Sequence, residues 1–358
     1  MKRMIKFPSI DQFRTVIKNV NDHASYVGKD DNGIAVFDYL KPKPKLSFYG
    51  TVKIHGTNAA ICYNEIDGFW VQSRENIITP EKDNFGCAWF CEQNKDAWLR
   101  IIEELVQEHE LDLSKQTVTI YFEWAGKGIQ KGVGISEIEK SAFIFSRFKV
   151  SPIDENSEEK SYWLPTCTTG GQRLFNVSNT EARIYNICDF KTFDIEIDFN
   201  NTDKIQNELI KMTLEVEEEC PVAKDFGITG IGEGIVFETI LEDGTRLCFK
   251  SKGEKHSNSK VKTIKAVDTE KLDKIDKCVE EICHNWRFEQ GLVHVFGSDY
   301  EKTLDRKKIG EYLKFIGSDT IKEESDLISE FGFEPKDVLG KVSQKAKEYF
   351  FAVENSLI

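Results

Sequence analysis

The chain has 358 residues, a formal net charge of −13 and 40% hydrophobic residues. That length is long for one domain and comfortable for two. The acidic balance argues against nonspecific coating of nucleic acid, and no run of 18 apolar residues is present to span a membrane.

The basic start, MKRMIKFPSIDQF, leads into no apolar stretch long enough for a signal peptide. Nine scattered cysteines, none in a CxxC pair, predict reduced thiols in a cytosol-like compartment. Short β-patterned runs then recur: LSFYGTVKI, NAAICY, FWVQS, TVTIYFEWA, AFIFSRFKV, GIVFETI and RLCFK, bounded by Gly, Asp, Asn and Pro clusters. One helix interrupts them over residues 89–106, where Trp98, Ile101, Ile102 and Leu105 recur at helical spacing. Residues 151–162, SPIDENSEEKSY, read as an exposed acidic loop. The segment 250–265 reverses the charge, with six lysines and one glutamate.

Beyond residue 265 the period changes. Leu272, Ile275, Val279, Ile282 and Trp286 make one apolar helix face. Cys278 falls in that pattern, which weakens Cys278, Cys283 and His284 as a metal cluster. Thr320 and Glu323 predict a capping box ahead of Leu327 and Ile328, and Pro335 opens a last helix carrying Val338, Leu339, Val342 and Phe350. The fold class expected is therefore α+β: an antiparallel-β-rich domain over 1–260 and a small all-α domain over 261–358.

The chemistry gathers around KIHGTN. A lysine nucleophile must shed its proton, so it needs positive neighbours or a dry site, and a bound phosphate close by. Lys53 is placed at a strand end with Gly56 three residues on, which lets a substrate approach the backbone. Arg74 ends a short strand in QSREN. Glu123 ends another, before a glycine-rich turn, where a carboxylate can accept from a pair of ribose hydroxyls. Phe145 lies in an alternating strand and is either core or a stacking face for a base, a contact of about 1–3 kcal/mol. Asp243-Gly244 predicts a two-residue hairpin turn. That turn would set Phe237 opposite Lys250 and Ile235 opposite Lys252, with Glu233 on the lysines' face. Two lysines and a glutamate on one face suit a triphosphate and its magnesium.

In this order the segments KIHGTN, SR, YFEWAG, FIFSRF, EGIV and KSK resemble the six motifs of the covalent nucleotidyltransferases. More narrowly they resemble the phage-type RNA ligase 2 family, over roughly residues 50–256. The KxHG form and a helical appendage after the last motif favour that branch over DNA ligases and capping enzymes. The resemblance implies an ATP-grasp-like ligase domain that joins RNA 3′-hydroxyl and 5′-phosphate ends through lysyl-AMP, with ATP and Mg²⁺ or Mn²⁺, in RNA repair. It implies that Lys53 attacks the α-phosphate of ATP, and that His55 and Asn58 serve the later steps. Arg74 and Glu123 would hold the ribose, Phe145 would stack on adenine, and the Val52 carbonyl would accept from the adenine amine. Glu233 would act at the metal, with Lys250 and Lys252 on the phosphates. The partners expected are RNA and ATP, with no membrane; the chain is expected to be a monomer in the cytoplasm, the host's if it is viral. The alternatives are an ATP-dependent DNA ligase, a capping-type guanylyltransferase, or a non-catalytic nucleic-acid-binding protein. The resemblance is imperfect: Ser146 stands where the family often has aspartate, and His256 where it more often has an aromatic residue.

Overall fold

The computed structural model describes residues 2–29, 33, 35–154, 156–166, 177–253, 255 and 268–357. Helix α1 (Phe13–Ser25) leads into a hairpin, β1 (Tyr26–Lys29) and β2 (Ala35–Phe37). Strands β3 (Lys45–Val52), β4 (Thr57–Asn64), β5 (Gly68–Ser73) and β6 (Ile77–Ile78) follow, then α2 (Cys87–Gln93) and α3 (Lys95–His109). Next come β7 (Gln116–Ala125), β8 (Ser141–Ile144), β9 (Arg147–Pro152), β10 (Tyr162–Pro165), β11 (Ile184–Asn186) and β12 (Thr192–Asp198). Helices α4 (Thr202–Glu218) and α5 (Pro221–Asp225) precede the hairpin of β13 (Gly234–Ile240) and β14 (Arg246–Lys252). The rest is helical: α6 (Thr269–Ile282), α7 (Asn285–Phe296), α8 (Tyr300–Thr303), α9 (Ile309–Glu323), α10 (Ser325–Glu330) and α11 (Pro335–Ser356).

The chain forms two compact units. One comprises Met1–Val16, Lys45–Ile197 and Ile205–Lys265; the other comprises Ile17–Pro44, Asp198–Lys204 and Ala266–Ile358. The first holds two sheets. The larger runs β10-β9-β7-β4-β5-β6, with β8 added on β7 and β11 on β8; the smaller runs β12-β3-β13-β14. The β8–β11 ladder is parallel and the other described ladders of the large sheet are antiparallel, so this sheet is mixed. Helices α2 and α3 cover one face of the large sheet. Trp98, Ile101, Ile102 and Leu105 bury there against Ile61, Ile120, Phe122 and Phe148, and each large side chain fully withdrawn from water contributes about 1.5–3 kcal/mol. The smaller sheet buries Phe48, Val52, Ile235, Phe237 and Phe249 on one face. In the second unit α6, α7, α9, α10 and α11 pack around Ile282, Phe288, Leu292, Tyr312, Ile316, Val342 and Phe350.

Four local expectations are corrected. The helix expected over 89–106 is two helices, broken at Asn94, whose backbone N–H closes α2 on Phe90. Thr320 caps nothing: it is buried inside α9, and the following helix starts at Ser325. The β13–β14 loop has three residues, because Leu241 and Thr245 still pair and Gly244 takes a left-handed φ of 82°, the usual form of a three-residue hairpin. The register therefore moves by one, setting Val236 opposite Lys250 and Gly234 opposite Lys252. Finally, Cys188 is disulfide-bonded rather than reduced, whereas Cys62, Cys87, Cys91, Cys220, Cys248, Cys278 and Cys283 are free thiols.

Candidate active site

Strand β3 ends at Val52, and the next residue keeps its ladder: Lys53 N donates to Gly234 O at 2.8 Å. This brings the Lys53 side chain to the end of β13. Its Nζ lies 2.7 Å from Glu233 Oε2, His55 Nδ1 lies 3.1 Å from the same oxygen, and Lys252 Nζ lies 2.5 Å from Oε1. Glu233 is 3% exposed. Burial by itself would raise its carboxyl, but the contacts from His55, Lys53 and Lys252 outweigh that and hold it well below the usual carboxylate range.

The one-residue change of register should have put Glu233 on the face opposite the lysines, since side chains alternate along a strand. Gly234 prevents this. Its φ is +144°, and a Cβ there would stand 2.1 Å from Ser251 O. The backbone bends at a position only glycine fills, and Glu233 returns to the side of Lys53, Lys250 and Lys252. Lys250 is half-buried; burial lowers its pKa, and Lys252 and Lys53 lower it further.

Between β3 and β4 the chain passes close to β7. A Cβ on Gly56 would lie 2.3 Å from Trp124 O, and Gly56 N donates to Glu123 Oε1 at 3.1 Å. Burial pushes the Glu123 carboxyl up to about 7, with Lys53 opposing the rise and Glu233 adding to it. Asn58 stands directly opposite Glu123 in the β4–β7 register.

A pocket opens between the two sheets. The small sheet and the residue after β3 contribute Thr51, Val52, Lys53, Val236 and Arg246; the large sheet contributes Glu123 and Phe143, and its β8–β9 loop Phe145 and Ser146. Phe145 is half-buried, with its N–H tied to Tyr121 O at 2.9 Å. Apolar walls with few polar groups at one end are the usual character of a small-molecule site.

Thus Lys53, His55, Glu233 and Lys252 meet directly, and Glu123, Phe145 and Val52 share one pocket with Lys53. Arg74 does not line the pocket; its side chain is 64% exposed with Nε 3.9 Å from Glu75 Oε1, and its charge reaches Lys250, whose pKa it helps lower. Most of the lysine-rich segment 250–265, His256 included, lies outside the described residues.

Two features escaped the sequence reading. The first is an N-terminal strap. Ile5 exchanges two hydrogen bonds with the buried Gln72 side chain, at 3.1 and 2.6 Å, and accepts a third from the Tyr121 hydroxyl at 2.9 Å. Asp11 joins the edge of β14 through Cys248 O and Lys250 N. Between these anchors Phe7 and Ile10 line the pocket, with the Phe7 ring 5.1 Å from that of Phe145. No spacing rule marks such a segment.

The second is a charged wall. Glu238 binds Arg246 through Nε at 2.9 Å and Nη2 at 2.7 Å, meets Arg147 Nε at 3.1 Å, and accepts from the Ser146 hydroxyl. The Arg246 guanidinium also lies over the Trp163 ring at 4.6 Å and the Phe7 ring at 5.3 Å. Carrying the alternation of Lys252 and Lys250 down β14 reaches Arg246, so this residue was within reach of a face argument.

No protein-family model matches the chain, and no curated protein matches it. Among solved structures it is similar to a Naegleria gruberi RNA ligase with PPi, at 14% identity over 70% of this chain and with a TM-score of 0.38. A mutant of the same ligase with ATP and Mn gives the same values. A structure named Pmar-Lig_Pre is similar at 13% identity over 58% of this chain and 42% of its own, with a TM-score of 0.27. The chain spans 57% of the Naegleria ligase. Likeness at this level bears no weight on activity, which rests on the side chains above.

Among the described residues no group of three His, Cys, Asp or Glu side chains is placed to hold a metal. Glu233 is the buried carboxylate that a divalent ion arriving with a phosphate chain would meet, in exchange for a contact with Lys53 or Lys252. Magnesium is commonly bound by one or two carboxylates and substrate phosphates while keeping several waters.

Proposed function

We propose that the chain is an ATP-dependent RNA ligase that joins 3′-hydroxyl and 5′-phosphate ends through a lysyl-AMP intermediate. The observation that carries the reading is the position of Lys53. Its amine sits at the charged end of an apolar, aromatic-walled pocket, beside a buried carboxylate and a second lysine.

In the first step Lys53 Nζ, having lost a proton, attacks the α-phosphorus. A P–N bond forms, the bond to the β-phosphate breaks, and pyrophosphate leaves. Lys250 and Lys252 bind phosphate oxygens, replacing part of what Glu233 supplies to Lys252. A divalent ion would neutralise charge on the leaving phosphates, and Glu233 would hold its waters. In the second step the 5′-phosphate of the RNA displaces Lys53 from AMP. In the third, the 3′-hydroxyl attacks that phosphate and AMP departs. His55, in the turn between β3 and β4, and Asn58, in β4, act on the 5′-phosphate end. Phe145 and Val236 take the base between them, and Glu123 takes the ribose.

Incubation with α-labelled ATP and a divalent ion tests the reading. Denaturation-resistant label is expected on the wild-type chain and none on Lys53→Ala; equal label on both would refute the assignment. GTP in place of ATP separates a guanylyltransferase, and nicked DNA beside nicked RNA separates a DNA ligase.

A further inference from the structure

Phe85 is a bulky residue held at a φ of 54°, in the left-handed region, and it is 52% exposed. Both facts run against its chemistry. A large ring gains nothing from solvent, and β-carbon sterics disfavour this backbone for anything but glycine and a few short polar residues. The scaffold enforces it all the same. Phe85 O accepts from Trp124 Nε1 at 3.2 Å and from Lys140 Nζ at 2.8 Å. The preceding Asn84 donates from Nδ2 to Thr57 Oγ1 at 3.1 Å. The following helix is fixed by Asp83, which accepts from the N–H groups of Ala88 and Trp89 at 2.7 and 3.0 Å. Trp89, four residues on, is 59% exposed. Persisting backbone strain with a fixed frame around it points towards function.

We propose that Phe85 and Trp89 form a stacking platform for the bases of a single-stranded RNA segment next to the end being joined. The choice of RNA rests on the ligase reading. The location supports it: Phe85 is pinned to the Thr57–Trp124 row of the large sheet, and the next row is Asn58–Glu123 at the pocket. The local charge agrees, since the Lys140 amine that holds Phe85 also sits against Gly86. A cation held at the backbone beside an exposed ring suits a nucleotide, with the base on the ring and the phosphate near the amine. Bases of any identity stack, so the platform grips the strand without reading its sequence.

Anisotropy titration of a 5′-phosphorylated single-stranded oligoribonucleotide tests the platform on the full chain. Phe85→Asn is the first variant, because asparagine tolerates the left-handed backbone, so its melting temperature should hold or rise. Trp89→Ala is the second. Loss of each ring is expected to weaken binding about tenfold, while Lys53 labelling by ATP stays at the wild-type level. An oligomer abasic at the stacked positions should bind the wild type as weakly as the variants. Unchanged affinity in a folded, label-competent variant would overturn the platform, as would equal binding of the abasic strand. A concentration-dependent wild-type dimer lost in Phe85→Asn would also overturn it, assigning the rings to a second copy of the chain. Absence of Lys53 labelling in the wild type would refute the ligase reading alone and leave the binding comparison intact.

Discussion

Lys53 and Glu233, 180 residues apart in sequence, meet at 2.7 Å, with Lys252 on the other oxygen of the same carboxylate. Glu233→Gln would keep the shape and remove the charge that both amines share. Breaking a buried ion pair by removing one partner costs about 3–5 kcal/mol. Here the low end is expected, because the Lys53 and Lys252 side chains are still 20% and 18% exposed. Lysyl-AMP formation should fall by two orders of magnitude or more, at roughly 1.4 kcal/mol per tenfold. A urea titration and the labelling assay measure the two effects separately.

The same carboxylate gives an acid dependence. Its folded pKa lies below the unfolded value of about 4.3. Its contribution is therefore complete above that value and is lost as pH falls towards the folded pKa. Stability of the wild type should decline below about pH 4 more steeply than that of Glu233→Gln, which urea midpoints across pH would show.

Glu123 works in the opposite direction. Its folded pKa of about 7 stands above the unfolded one, so the folded state binds the proton more tightly. Stability falls as pH rises from about 4.3 to the folded pKa, and the penalty is constant beyond it. The full shift corresponds to about 4 kcal/mol, an upper bound for a half-buried group. Glu123→Gln should flatten the stability profile across that window, as thermal melts at several pH values would report.

Phe7 closes the pocket and touches Tyr121, Phe145 and Trp163, with ring centroids 5.0, 5.1 and 5.9 Å away. Phe7→Ala should cost about 2 kcal/mol, below the range for a fully buried ring. It should also raise the ATP concentration for half-maximal labelling several-fold, with Phe7→Leu partly restoring it. Labelling curves against ATP distinguish this from simple unfolding.

Gly56 and Gly234 bear directly on the site. Alanine at 234 meets Ser251 O at 2.1 Å and a forbidden φ, while alanine at 56 meets Trp124 O at 2.3 Å. Each should lose more than about 2 kcal/mol and nearly all labelling. The expected signature is a melting curve shifted well below that of Gly128→Ala, where nothing lies within 4 Å and only the φ of +80° matters.

The sequence made the strands legible because alternation and turn residues are local. The apolar face Ile275, Val279 and Ile282 is read just as directly from its spacing and is buried in α6. The β13–β14 register was not legible. A three-residue loop and a two-residue loop can share the same Asp-Gly signature, and only the Leu241–Thr245 pairing decides between them. Lys53, Glu233 and Lys252 were named from residue type and order, but their meeting depends on a bend at Gly234 that no periodicity encodes. The strap from Ile5 to Asp11 was invisible because its anchors, Gln72 and Tyr121, belong to strands far away in sequence.

The helical unit recruits Ile17–Pro44 as well as Ala266–Ile358. Within it the Tyr39 ring sits 5.1 Å from Phe351, Arg306 reaches Phe37 O, and Asn355 Nδ2 donates to Asp38. Truncation after residue 265 would therefore not yield a clean copy of the first unit. It would strand the α1 end and its hairpin with bare aromatic rings, so a shortened product should aggregate on expression unless residues 17–44 are redesigned with it.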